Sequence, residues 1–312
     1  MKRRAAIALV AAACCAAPFL LSSFRTFQLT QILVYSIALL GLNLLTGFSG
    51  QISLGHGAFF GIGAYTAAVL LDHAWLPWWA AIPAAGLLCL AVGFAFGLPA
   101  LRLEGPYLAL ATFALAIATP QILKHDALES WTGGVQGILL DKPEPPIGAL
   151  DADQWLYFVT LVVAVALYAA AWNLVHGRTG RALVAIRDHP IAASAMGINM
   201  PMYKATTFGV SAMYTGLAGA LAALLTGFVS PDSFTFLVSI DFLVGVVVGG
   251  IASIAGNLFG AAFIVILPNV ASGISDAAPW AIYGVALIVL MMLMPRGIAG
   301  VVRAVAARRS SR

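Results

Sequence analysis

Apolar residues run along this chain in long segments that are separated by short polar connections. A helix that crosses a bilayer needs about 20 mostly apolar residues, and most of these segments approach that length. The pattern predicts about ten membrane-spanning helices, with eight to ten possible. The predicted segments are 5–23, 29–46, 57–71, 78–100, 106–123, 154–175, 205–228, 237–252, 256–272 and 279–295.

The overall composition supports a membrane protein. Hydrophobic residues make up 62% of the chain and charged residues only 9%, whereas a soluble domain carries roughly 25% charged residues. Ten spans leave little of the 312 residues over. We therefore predict an all-α polytopic membrane protein in which residues 1–312 form a single transmembrane domain. The net charge of +4 is no sign of nucleic-acid binding.

The basic residues predict which side each connection faces. With the N-terminus inside, thirteen Lys and Arg residues fall inside and three outside, a strong positive-inside bias. The inner residues are Lys2, Arg3, Arg4, Arg102, Arg178, Arg181, Arg187, Lys204, Arg296, Arg303, Arg308, Arg309 and Arg312, and the outer ones are Arg25, Lys124 and Lys142. Both termini and the 176–204 loop are thus predicted to be cytoplasmic, and the 124–153 loop external (periplasmic).

The N-terminus has two interpretations. Lys2, Arg3 and Arg4 precede an Ala-rich apolar stretch, as in a secretory signal peptide. We favour an uncleaved first helix, because the apolar run continues through Pro18 past any small-residue cleavage site. Cleavage would leave nine spans.

A glycine-rich window at 46–65 mixes polar residues into an apolar region. Non-helical backbone at membrane depth is tolerated only where protein buries it or water lines it, and transporters place substrate or gates at such broken helices. Close helix packing on small residues is the alternative. The candidate pathway or gate residues in this window are Gly47, Gly50, Gln51, Ser53 and His56.

A second irregular window, 239–263, is too long for one span and barely enough for two. A short inward span, a tight turn and a return are predicted, giving a second broken or re-entrant segment. Laid over the first window with an offset of 200, its Gly250 and Ser253 match Gly50 and Ser53, a weak sign of an internal repeat. Asp241 is either a structural acid near a helix start or part of the pathway.

Catalytic and metal-binding patterns are missing from the sequence. It contains no GxxxxGK[ST] phosphate loop, no HExxH and no GxSxG. Cys14, Cys15 and Cys89 lie in apolar runs without metal-ligand or disulfide spacing. The chain is therefore predicted not to be an enzyme, and no metal is expected.

The basic stretch from 178 to 204 predicts a short exposed helix. Asp188 is placed to act as an N-cap, Pro190 fits a first helical turn, and Gly197 fits a left-handed helix end. An exposed helix between two spans of a membrane protein is typical of a docking element, with Ile191, Ala195 and Ile198 as the apolar side chains that a partner would bury.

These residues carry a resemblance to a known family. Residues 191–197, IAASAMG, fit the EAAxxxG pattern in the cytoplasmic loop of permease subunits of ABC importers, with Ile191 where Glu usually stands. The wider strings resemble branched-chain amino acid permeases of the LivM type. They are GLNLLTGFSGQISLGHGAFFGIGAY (41–65), ALVAIRDHPIAASAMGINMPMYK (182–204), GFVSPDSF (227–234) and MPRGIAG (294–300).

The resemblance implies a set of partners. A second, related permease of the LivH type would complete the pore in the bacterial inner membrane. Two ATPase subunits would bind the ATP and Mg²⁺, so this chain would bind no cofactor, and a periplasmic binding protein would deliver Leu, Ile or Val. The 182–199 region would be the coupling helix that docks on one ATPase. Its candidate contact residues are Arg187, Asp188, Ile191, Ala192, Ala193, Ala195 and Gly197.

Two other functions stay open. Importers of urea and short amides carry very similar permeases, so the cargo is not fixed by this chain. A secondary transporter driven by an ion gradient fits less well, because acids inside the predicted spans are scarce apart from Asp241.

Overall fold

A computed structural model describes residues 12–73, 76–103, 105–145, 148, 150–274, 279–294 and 297–301. Several sequence predictions fall on other residues. Lys2, Arg3 and Arg4, the start of the first predicted span, Arg296 and the basic residues from Arg303 onward all lie outside the described part of the chain.

The described chain is almost wholly helical. Its helices are α1 (12–20), α2 (Ser23–Asn43), α3 (His56–Asp72), α4 (Trp78–Ala100), α5 (Pro106–Leu123), α6 (Asp126–Thr132), α7 (Ala152–His176), α8 (Arg178–Asp188), α9 (Pro190–Ala195), α10 (Met200–Thr226), α11 (Phe236–Gly249), α12 (Gly256–Ile274) and α13 (Pro279–Leu293). A π-helical turn, Leu44–Phe48, extends α2, and a 3₁₀ turn, Pro231–Phe234, precedes α11. The two short strands are β1 (Ile138–Leu139) and β2 (Phe228–Val229).

The predicted fold class is confirmed. In the described part of the chain, eight helices are long and apolar enough to cross a membrane. The 17-residue α3 is about 25 Å long at 1.5 Å per residue, slightly short of a full hydrocarbon core. The span predicted at 29–46 in fact begins at Ser23, directly after a break at 21–22.

The core of the bundle is built around α10, which packs against α2, α3 and α4. Small residues allow this close packing. A side chain at Gly63 of α3 would collide with the backbone of Gly216 in α10, and one at Gly93 of α4 would collide with Ala212. Without a hydrophobic driving force between helices in lipid, such backbone-to-backbone contact is how membrane helices associate.

The two ends of the bundle have different structures. At one end, which we call the sheet end, β1 and β2 pair antiparallel with Ile138 opposite Val229. Lys124 Nζ also lies 2.6 Å from Asp232 Oδ1 there. The opposite end, which we call the loop end, carries the 176–204 segment. That segment was predicted to hold one short helix and holds two, α8 and α9.

Candidate functional site

The candidate site lies near the loop end, where the connection between α2 and α3 meets the connection between α11 and α12. The first break comprises the π-helical turn and residues 49–55, between α2 and α3. The second comprises residues 250–255, between α11 and α12. We call these two segments the paired breaks. The short inward helix, turn and return that the sequence predicts for the second window are confirmed, since α11 ends at Gly249 and α12 begins at Gly256.

Asn43 joins the paired breaks. Its side chain is fully buried. The amide nitrogen donates to Ser253 O at 3.2 Å and to Asn257 Oδ1 at 2.8 Å, and the amide oxygen accepts from Ala252 N at 2.9 Å. Ala252 has a left-handed backbone with φ of 57°, which costs a non-glycine residue about 1–3 kcal/mol unless its surroundings hold it. Asn43 therefore provides hydrogen-bond partners for the backbone of a turn more than 200 residues away in sequence and holds that turn in place.

The two breaks share a local design. Gly50 and Gly250 both have positive φ, at 74° and 116°. Ser53 Oγ accepts from Gly55 N at 3.3 Å, and Ser253 Oγ accepts from Gly256 N at 3.2 Å, so each serine bonds a backbone N–H where the next helix begins. The Gly and Ser matches at an offset of 200 thus fall on a positive-φ glycine and on a serine before a helix start in each turn.

His56 belongs to a buried hydrogen-bond chain. Ser211 Oγ donates to Gly41 O at 2.5 Å, so it must accept from His56 Nε2 at 2.6 Å. His56 Nδ1 then accepts from Ser53 Oγ at 3.0 Å. The chain links α2, α3 and α10 with the first break, and it fixes a neutral ring with the proton on Nε2.

A cavity of about 270 Å³ opens beside the first break at the loop end. Gly50 and Gln51 line it together with Arg187 and Lys204. The Gln51 amide donates to Ser49 Oγ at 2.8 Å and is almost fully buried. The cavity therefore lies between the first break and the 176–204 segment. Arg187, which lines the cavity, connects these two segments.

Arg187 connects the loop end to the first break. Its Nη1 donates to Gly47 O at 2.7 Å, and its Nε donates to Asp188 Oδ1 at 2.8 Å. A side chain at Gly50 would collide with the Arg187 methylenes. The hydrogen bond from Arg187 also holds the pKa of the Asp188 carboxyl below its usual value. Arg187 is thus fixed at both ends, by a carboxylate of its own helix and by the broken backbone.

The predicted N-cap is wrong. Asp188 is the last residue of α8, and His189 takes the N-cap position of α9 without a side-chain bond. The predicted left-handed end is confirmed, because Gly197 has φ of 80° and Ile198 N donates to Ala193 O at 3.1 Å. This pair of features is typical of a Schellman helix end.

The short helix α9 presents an apolar surface to solvent. Ile191 is 86% exposed and Met196 is 82% exposed, and Ala192 and Ala195 are exposed beside them. Ala193 alone faces inward and is buried. A group of neighbouring apolar side chains this exposed on a connection between spans is typical of a surface that another protein covers.

The structure brings most of the predicted pathway residues together, but not all of them. Gly47, Gly50, Gln51 and Ser53 lie in the first break, and His56 begins the helix after it. Asp241 lies apart, two turns before the end of α11. Sequence reasoning missed Asn43, whose signal was an amide inside an otherwise apolar run. Among the described residues no group of three or more His, Cys, Asp or Glu is placed to hold a metal ion.

Helices that end inside the bundle, with their connections fixed by buried polar side chains, are typical of transport proteins. The sequence comparisons agree: the family described as "Branched-chain amino acid transport system / permease component" matches residues 25–294. This chain belongs to that family. No solved structure shows significant similarity to it.

Two kinds of relatives show the range of this similarity. The high-affinity branched-chain amino acid transport system permease protein LivM of Escherichia coli is 33% identical over 90% of this chain and 71% of the relative. LivM of Salmonella typhimurium matches to the same extent. The permease protein LivH of Escherichia coli is 25% identical over 85% of this chain and 91% of the relative.

Replacing Asn43 by Leu tests the connection between the paired breaks. The variant keeps the branching at Cγ but leaves Ala252 N and the Asn257 amide oxygen without their buried partner, which costs about 1–3 kcal/mol. We expect a lower unfolding temperature for the protein in detergent, measured by circular dichroism. Asn173→Leu on the exposed surface of α7 is the control and should leave that temperature unchanged. Equal unfolding temperatures for both variants would contradict the role of Asn43.

Proposed function

We propose that this chain is one of two membrane subunits of an ATP-driven importer for branched-chain amino acids in the bacterial inner membrane. Its membership of the permease family supports the class of machine. The exposed apolar surface of α9, bridged to the first break by Arg187, is the observation that carries the proposal. A partner protein binds and displaces this surface, and Arg187 connects the displaced segment to the pathway.

The loop end faces the cytoplasm in this proposal. The distribution of Lys and Arg across the connections supports that orientation. Two ATPase subunits then lie below the loop end and bind ATP and Mg²⁺, while a periplasmic binding protein delivers substrate at the sheet end. A LivH-like permease is the second membrane subunit.

The ATPase groove covers Ile191, Ala192, Ala195 and Met196, which removes their apolar surface from water. Ala193 remains packed against this chain and keeps α9 attached to it. The helix is short, and its Schellman end leads within a few residues into α10. Movement of α9 therefore reaches the most central helix of the bundle directly.

A second route runs through Arg187. When ATP closes the ATPase dimer, α8 and α9 are displaced. The hydrogen bond from the Arg187 guanidinium to Gly47 O transmits this displacement to the first break. Gly47 lies against Ala252, since a side chain there would collide with Ala252 N, and Asn43 bonds the same residue. Both breaks then move together, which opens or closes the pathway between inward-facing and outward-facing states.

The purified complex of both permeases, the ATPases and the binding protein tests the proposed function in vesicles. We expect ATP-dependent uptake of Leu, Ile and Val that requires the binding protein. Urea uptake in place of Leu uptake would assign the cargo to short amides. Uptake driven by an ion gradient without ATP would overturn the importer itself.

Replacing Met196, which is 82% exposed, by Glu tests the docking surface. Burying an unpaired carboxylate in an apolar groove costs several kcal/mol, so we expect the ATPases to co-purify at least tenfold less. The side chain is exposed here, so the permease should still fold.

Val135→Glu is the matched control, because Val135 is 66% exposed at the sheet end. It should retain the ATPases fully. Loss of ATPases from the Val135 variant, with retention by the Met196 variant, would reverse the assigned orientation.

Replacing Arg187 by Gln tests the second route. A hydrogen bond from a charged donor contributes about 1.5–3 kcal/mol, and this variant loses the one to Gly47. We expect the ATPases to bind and hydrolyse ATP while Leu uptake per ATP falls several-fold.

Arg181→Gln is the control, since Arg181 lies on the same helix but bonds only the His176 carbonyl at 3.3 Å. Its uptake per ATP should match the wild type. If Leu uptake per ATP were unchanged in the Arg187 variant, the hydrogen bond from Arg187 to Gly47 would not transmit the movement.

A further inference from the structure

The ribbon formed by β1 and β2 has an apolar outer face. Its inner face is buried through Ile138 and Val229. Leu139 and Phe228 are directly opposite each other in the register, so their side chains share the outer face. Leu139 is 79% exposed and Phe228 is 43% exposed. A ribbon with one buried face normally carries polar residues on the other, so this outer face has the composition of a surface that a partner covers.

A cavity of about 120 Å³ opens beside this outer face. Phe228 forms part of its wall together with Phe60 and Phe234, whose rings lie 5.9 Å apart. Thr226 and Ser233 also line the cavity and are exposed, so the cavity reaches the surface next to the ribbon. No described Asp, Glu, Lys or Arg lines it. Its volume is of the same order as the roughly 150 Å³ apolar cavity that can hold benzene, so one apolar side chain of a partner fits inside.

The connections that contain the ribbon are negatively charged. Residues 124–151 and 227–235 include six acids and two lysines. The six acids, all exposed, are Asp126, Glu129, Asp141, Glu144, Asp151 and Asp232, and the lysines are Lys124 and Lys142. Both lysines are already ion-paired, one with Asp232 and one with Asp153. The other five acids form no ion pair with a described residue, so they are left to attract a basic partner.

The charge and the position of the ribbon indicate which kind of molecule covers it. Surfaces that bind lipid combine apolar residues with Lys and Arg, whereas these connections carry acids. Membrane subunits associate along their helices, whereas both strands lie in connections between helices. A soluble protein with an apolar projection and a basic surface fits both observations.

We propose that the outer face of the ribbon binds the soluble protein that delivers substrate. An apolar side chain of that protein enters the cavity beside Phe228, and its Lys and Arg residues face the acids of the two connections. The inference rests on the proposed importer function, in which the sheet end faces the periplasm. The apolar contact supplies most of the affinity, and the charges mainly accelerate association.

Replacing Leu139 by Ser tests the apolar contact in the vesicle-reconstituted complex. We expect the concentration of binding protein that gives half-maximal Leu uptake to rise at least tenfold, because the contact loses apolar area. The side chain is exposed, so the permease should still fold and the complex should keep its basal ATP hydrolysis. Leu128→Ser is the control, since Leu128 is 37% exposed in α6 and lies outside both the ribbon and the cavity wall. It should shift that concentration less than twofold.

Replacing Asp141 by Lys tests the charge contact. Asp141 is exposed and lies two residues after Leu139. We expect the half-maximal concentration of binding protein to rise several-fold at low salt, and the difference from the wild type to shrink at high salt, because salt screens exposed charges. Asp141→Asn removes the charge without reversing it and should have a smaller effect. A difference from the wild type that does not change with salt would contradict a basic partner surface.

The outcomes separate this inference from the proposed function. If the wild-type complex takes up no Leu with saturating binding protein, the proposed function fails. If the wild type transports Leu and Leu139→Ser needs no more binding protein than the wild type, only the docking surface is overturned. It is also overturned if Leu139→Ser loses the second permease or no longer enters vesicles, since a membrane subunit or lipid would then cover the outer face.

Discussion

Every backbone N–H and C=O that a broken helix frees inside a membrane must find a partner within the protein, because hydrocarbon offers none. This constraint organises the loop end of the bundle. Asn43 supplies partners to the 250–255 turn, and Ser53 and Ser253 accept from backbone N–H groups where the helix after each break begins. The breaks are therefore held by a few specific hydrogen bonds.

The same bonds make the two breaks one mechanical unit. Gly47 lies between Arg187, which reaches it from the 176–204 segment, and Ala252, which belongs to the other break. His56 anchors the far side of the first break to α10 through Ser211. A force applied at α8 or α9 therefore arrives at a connected polar network rather than at a single flexible loop.

Local sequence rules predicted some of these features and not others. Gly197 after a run of helix formers correctly indicated a left-handed end, and the over-long apolar run at 239–263 correctly indicated a helix, turn and return. Asp188 was misassigned because residues 178–188 continue as a helix, which places its carboxylate at a helix end beside Arg187.

Long-range partners are the part that local rules cannot supply. A single Asn inside an apolar helix predicts that some polar partner exists, but Ala252 and Asn257 are more than 200 residues away. The bond from Arg187 to Gly47 spans 140 residues in the same way. Composition and periodicity placed the helices, whereas the contacts that join the breaks depend on how those helices pack.

The glycine contacts along α10 have a consequence for how the bundle deforms. Where Gly63 meets Gly216 and Gly93 meets Ala212, the helices touch with no side chain longer than a methyl group between them to rotate and absorb a shift. A tilt imposed near Met200 would therefore rotate α10 as a rigid body about these contacts. Its far end, beside β2 and the sheet, would swing in the opposite direction.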